Sequence, residues 1–142
     1  MIYQHMKIIR RHIALIFLCL YLATVCFLCF ADPQDYPSTE FSLWGLPADK
    51  IAHFLMFVPY PVLAFLSVDN KSYKPLKRLF ILALVLASGG GLAIGTELIQ
   101  GTTEYRSFEL WDFAADAAGM LASAVLLTAY IISTDKKITD NE

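Results

Sequence analysis

Apolar and polar positions along this 142-residue chain sort into four long apolar runs separated by short polar stretches. The runs cover about 13–30, 51–68, 79–99 and 113–133. Crossing a bilayer core takes roughly 20 helical residues, and each run reaches or approaches that length. The pattern predicts one all-α domain over 1–142, an integral membrane bundle of four transmembrane helices. The second run is the shortest and carries Pro59 and Pro61 near its middle. Proline removes a backbone donor, so a kink is expected there, which neighbouring helices in a membrane can accommodate.

Composition fits that pattern. Hydrophobic residues make up 57% and charged residues 17%, with a mean hydropathy of +0.55, well above an ordinary soluble domain. The net charge of −2 says less than its distribution. If the runs alternate in direction, Lys7, Arg10, Arg11, Lys71, Lys74, Lys77, Arg78, Lys136 and Lys137 share one side, and only Lys50 and Arg106 fall on the other. The positive-inside rule then puts both termini and the 69–78 loop in the cytoplasm, and the 31–50 and 100–112 loops outside. The first run has a basic lead and a small-residue pattern at Cys29–Ala31, but its 18 apolar residues exceed the ~7–15 of a signal peptide. It is read as a span. Cys19, Cys26 and Cys29 all lie within it and read as apolar fillers, not as a disulfide framework or a zinc site. His5, Tyr3 and Tyr21 carry no chemistry legible from spacing.

Side chains three, four or seven apart share a helical face. Asp49, His53, Met56 and Tyr60 align on the second helix, with Lys50 and Phe54 on the neighbouring stripe. Asp112, Asp116, Gly119 and Ser123 align on the fourth, two carboxylates above small residues that admit a close neighbour. On the third, Ala83, Ala87, Gly91 and Gly95 form a small stripe suited to close helix packing, and Glu97 and Gln100 point to roughly the opposite side. The triplet Gly89–Gly91 is a place to bend or to admit a neighbour's side chain. By topology, Asp49, Lys50, His53, Glu97, Gln100, Asp112 and Asp116 all lie near one membrane boundary. Three helices deliver polar groups to the same depth of the outer leaflet, where ionisable groups are costly unless paired, hydrated or used.

The spacing Asp49-Lys50-x2-His53-Phe54-x2-Phe57, followed by Glu97-x2-Gln100-x5-Arg106-x5-Asp112-x3-Asp116-x2-Gly119, resembles the VanZ-like membrane proteins, a family named for a member associated with low-level teicoplanin resistance. The motif detail covers about 49–123, and the four-span layout covers nearly the whole chain. One position departs: the family pattern usually has Asn where this chain has Asp116, which keeps size and adds charge. The resemblance implies an integral membrane protein of the bacterial cell envelope, in the cytoplasmic membrane, and supplies no reaction.

The polar residues support more than one role. As a packing network, Arg106 would pair with Asp112 or Glu109, Lys50 with the neighbours of Asp49, and His53 with Glu97, while Glu104 and Glu109 read as solvated loop charges. As a substrate site for an anionic or amphipathic envelope lipid or lipoglycopeptide, His53, Glu97 and Asp116 form the titratable centre. In that role Asp49, Lys50, Gln100, Arg106 and Asp112 hold substrate, with Gly91, Gly95 and Gly119 packing the helices behind it. Whether such a site reacts or only binds is left open by the residues. No cofactor is required. A divalent metal held by His53, Glu97, Asp112 and Asp116 is a sub-case, although no short ligand-spacing motif announces it. A small transporter is a further alternative, but the inner half offers only Ser67, Tyr60 and a few hydroxyls along its depth. Expected partners are the bilayer, a lipid-linked or lipophilic envelope molecule and, for the glycine stripe, a second copy of the chain. Nucleic acid is not among them.

Overall fold

The computed structural model describes residues 2–30, 42–43, 45–102 and 108–139. Helix α1 runs Ile2–Phe30. A two-residue antiparallel pair, β1 (Ser42–Leu43) and β2 (Leu46–Pro47), leads into α2 (Ala48–Phe57) and α3 (Pro59–Val68). Then come α4 (Pro75–Gln100) and α5 (Leu110–Thr139). Helices α2 and α3 together make one bent span, so four stretches are long and apolar enough to cross a membrane. The chain is an all-α, multi-pass membrane protein. Each helix overruns its apolar run: α1 extends back through the basic lead, and α5 begins before Asp112, which sits in its first turn. The small hairpin is a feature that the apolar pattern does not announce. Gly45, at φ 80, supplies the left-handed residue of its turn.

The break at Val58 lies where the prolines predicted it, and its chemistry is local. Pro59 starts α3 and Pro61 follows within its first turn. The first N–H groups of a helix have no intrahelical partner, so two missing donors cost least there. Side chains from other helices add hydrogen bonds to backbone carbonyls at this bend. The hydroxyl of Tyr21 on α1 donates to the Met56 carbonyl at 2.6 Å, and that of Ser123 on α5 donates to the Val58 carbonyl at 2.5 Å. Tyr21, silent in the sequence, therefore ties α1 to the bend.

Helix α5 lies along α2, α3 and α4, while α1 packs chiefly on α3. Gly119 makes the α2–α5 approach possible, since a Cβ there would meet the Phe54 carbonyl oxygen. Gly89 serves α4 in the same way. A Cβ there would stand 2.5 Å from the Met120 sulfur and 2.8 Å from the Tyr60 ring, so this is the glycine of the triplet that admits neighbours. Apolar packing falls in two clusters, one around Phe57, Tyr60, Val85, Ala93 and Met120, the other around Phe65, Leu82, Leu127 and Ile131. Elsewhere large apolar side chains face outward, as lipid contact requires; α1 is the most peripheral, with Ile16, Phe17, Leu20 and Phe27 all exposed.

The small-residue stripe of α4 is corrected by the structure. Ala83, Ala87 and Gly91 are exposed, and a Cβ added at Gly91 or Gly95 meets nothing within 4 Å. Within the chain these residues pack no helix among the described residues. The period identified a shared face, but α4 turns its polar face inward to bury Glu97 and Gln100, which sends the opposite stripe outward.

Candidate functional site

The first turns of α2 and α5 and the last turns of α4 meet at one end of the bundle. His53 is held inward on α2 because Phe57, one turn on, is fully buried on the same side. Asp116 is placed by the Gly119 and Ser123 contacts that press α5 onto α2. Glu97 and Asp116 are both 0% exposed, and His53 is 6% exposed. His53 Nδ1 lies 3.0 Å from Asp116 Oδ1 and 4.0 Å from Glu97 Oε1, and its other ring nitrogen, Nε2, lies 3.6 Å from Asp112 Oδ2. The imidazole thus stands between carboxylates on both edges, and its hydrogen-bonded partner is Asp116. The expected His53–Glu97 bond is corrected: α5 approaches α2 more closely than α4 does.

An outer ring surrounds this centre. Lys50 Nζ donates to Asp49 Oδ2 at 2.9 Å, to Glu109 Oε2 at 2.5 Å and to Asp112 Oδ1. The backbone N–H of Glu109 donates to Glu97 Oε2 at 3.2 Å. Glu109 is therefore more than a solvated loop charge: its side chain binds Lys50 and its backbone fixes Glu97. Nothing in its spacing signalled this, because the contact depends on how the chain enters α5. Gln100, one turn beyond Glu97, donates its amide to the Cys29 carbonyl at 2.9 Å, joining the end of α4 to the end of α1. Arg106 and Glu104 lie outside the described residues, and with them the Arg106 pairings.

Two atoms at the centre are orphaned. Glu97 Oε1 and Asp116 Oδ2 are buried side-chain oxygens with no hydrogen-bond partner among the described residues. Buried acceptors are almost always satisfied, and an unmet one costs about 1–3 kcal/mol, more when charged. Charge is equally lopsided. Asp49, Glu97, Glu109, Asp112 and Asp116 face Lys50 and His53, so acidic groups outnumber basic ones among the described residues of this cluster. One nitrogen and two carboxylates, with ligand atoms within 4.8 Å of one another, are grouped at His53, Glu97 and Asp116; a second group, Asp49, Glu109 and Asp112, is more exposed.

Comparison of the chain with family models, with curated proteins and with solved structures gives no match.

A second buried charged cluster sits at the opposite end, and spacing did not reveal it as a cluster. Asp69 caps α3, and Arg78 lies in the first turn of α4. Arg78 donates Nε and Nη2 to Asp69 Oδ1 and Oδ2 at 2.8 and 2.9 Å, and Nη1 to Thr134 Oγ1 on α5 at 2.7 Å. Its guanidinium also faces the Tyr130 and Phe65 rings. In the sequence Arg78 counted only as one of the basic residues of a loop. The legible hint was that Asp69 and Arg78 bracket that loop at the adjoining ends of two apolar runs.

Proposed function

We propose that this chain is a VanZ-like protein of a bacterial cytoplasmic membrane. Both termini lie in the cytoplasm, and the centre at His53, Glu97 and Asp116 takes the polar head of a lipid-linked or lipophilic envelope molecule at the outer leaflet. The VanZ-like reading rests on the two spaced motif blocks alone. The observation that carries a binding role is the pair of buried, unpartnered carboxylate oxygens beside His53. A network serving only to pack helices has every reason to close such acceptors, whereas a ligand's donors would satisfy them.

Charge narrows what part of the molecule enters. Lys50 is already engaged by three carboxylates, so a bare phosphate finds no free cation in it. Hydroxyl and amine donors match the exposed rim of Asp49 and Glu109 and the acceptors within, and lipid-linked saccharides and lipoglycopeptides are rich in both. His53 is the group placed to move a proton, with Asp116 as its partner at 3.0 Å. Reduced susceptibility to a lipoglycopeptide of the teicoplanin kind is the resulting phenotype.

A packing role for the outer ring is favoured by Lys50, which joins α2 to α5, and by the Glu109 N–H on Glu97, which joins the entry of α5 to α4. The two roles separate on substitution. Alanine at Glu97, Asp112 or Arg106 abolishes the lipoglycopeptide phenotype while the protein still inserts in the membrane. A phenotype retained in all three variants refutes the binding role.

A further inference from the structure

Resting on the reading of this centre as a functional site, we infer that His53, Glu97 and Asp116 bind one divalent transition ion, zinc or manganese, that the polar head of the ligand then meets. The electrostatics match. In ionised form the two buried carboxylates carry two negative charges, and a dication neutralises both, which Lys50, occupied in the outer ring, does not do. Imidazole suits zinc, and carboxylates suit harder ions such as manganese, so one nitrogen and two oxygens fall between these preferences.

Geometry carries the assignment further. In a tetrahedral site with ligand bonds near 2.1 Å, neighbouring donor atoms stand about 3.4 Å apart. The His53 Nδ1 separations of 3.0 Å from Asp116 Oδ1 and 4.0 Å from Glu97 Oε1 bracket that spacing. Two of the three ligands are also held from behind. Glu97 Oε2 accepts the Glu109 N–H, which leaves Oε1, the orphan, on the His53 side. The far ring nitrogen of His53 faces Asp112 Oδ2 at 3.6 Å, and Asp112 is itself held by Lys50. Metal-bound histidines characteristically direct the second ring nitrogen to a carboxylate, which fixes the ring and raises its basicity. Three protein ligands leave a fourth position open for the hydroxyl or amine of a substrate, the pattern of a working ion and not of a structural one. Asp116 matters most here. An Asn would offer one neutral oxygen in place of a charged carboxylate, so the position at which this chain departs from the VanZ-like pattern is the one that completes the charge balance.

The test uses the full chain purified in detergent, stripped with EDTA, desalted, and loaded with zinc chloride or manganese chloride. The expected result is one bound ion per chain by elemental analysis, a raised unfolding temperature, and binding at least tenfold weaker in Glu97→Gln and in Asp116→Asn. Glu109→Gln, in the outer acidic group, retains the ion. Manganese-loaded wild-type protein should show nitrogen coupling from a single imidazole in its spin-echo spectrum, a readout that needs no variant to fold. Failure of the wild type to bind either ion, absence of nitrogen coupling, or binding lost in Glu109→Gln but kept in the other two would overturn the assignment. A chain that binds no ion yet loses its drug phenotype in Glu97→Gln refutes the ion and leaves the function standing. One ion bound, with a phenotype indifferent to Glu97, supports the ion and refutes the function.

Discussion

Two buried charged clusters close the two ends of this bundle, and they are built on opposite terms. Arg78 and Glu97 sit on the same helix, 19 residues and therefore about 28 Å apart. At the first, a guanidinium forks onto one carboxylate, its third nitrogen finds a threonine, and two aromatic rings cover it. At the second, a histidine faces three carboxylates, and two of their buried oxygens have no hydrogen-bond partner among the described residues. A closed cluster at a membrane boundary fixes a loop. An open one holds unmet acceptors in place, at a cost in stability that only a ligand returns.

The sharpest way to break this contrast is to cut the closed cluster. Arg78→Met leaves Asp69 buried without its partner and should cost about 3–5 kcal/mol, the usual penalty for halving a buried pair. Denaturant titration in detergent checks the value. A loss below about 1 kcal/mol would place Arg78 with ordinary surface pairs and dissolve the comparison.

Glycines sharpen the contrast at smaller scale. Gly119→Ala drives a methyl group toward the Phe54 carbonyl, separating the two helices that set the His53–Asp116 distance. A loss of about 1–3 kcal/mol is expected, as for other overpacked sites. Gly91→Ala enters open space and should leave the chain unchanged or up to about 1 kcal/mol more stable, since alanine is the better helix former. The same unfolding measurement serves both. A destabilised Gly91→Ala would mean that this stripe does pack, against a second copy of the chain.

Much of the fold was legible because its signals are local. Run length announced four spans, and Pro59 and Pro61 marked the break at Val58. The three-and-four spacing of Asp112, Asp116, Gly119 and Ser123 marked the face of α5 that meets α2. The convergence of His53, Glu97 and Asp116 followed from topology plus helical phase. What stayed illegible depends on which face meets which neighbour. The stripe at Ala83, Ala87, Gly91 and Gly95 looked like a packing groove, yet in lipid a small residue pays little for facing outward, because no hydrophobic force drives helices together there. Glu109 and Tyr21 act through a backbone N–H and toward a backbone carbonyl, contacts that side-chain periodicity does not encode. Arg78 was hidden by its company: among several cations of one loop, nothing in spacing distinguished the one that folds inward.

The central claim is that the His53 centre is held open against stability, and the unfolding temperature of the Glu97→Gln/Asp116→Asn double variant tests it most directly. Both substitutions keep shape and remove charge: the His53 and Glu109 hydrogen bonds retain an amide oxygen as acceptor, and each unmet anionic oxygen becomes a neutral amide NH2, whose burial costs less than that of a charge. Measured beside the parent in EDTA, the double variant should unfold at the same temperature or a higher one. A clear drop, comparable with that of Arg78→Met, would show that these carboxylates hold the bundle together as they stand and would contradict the account.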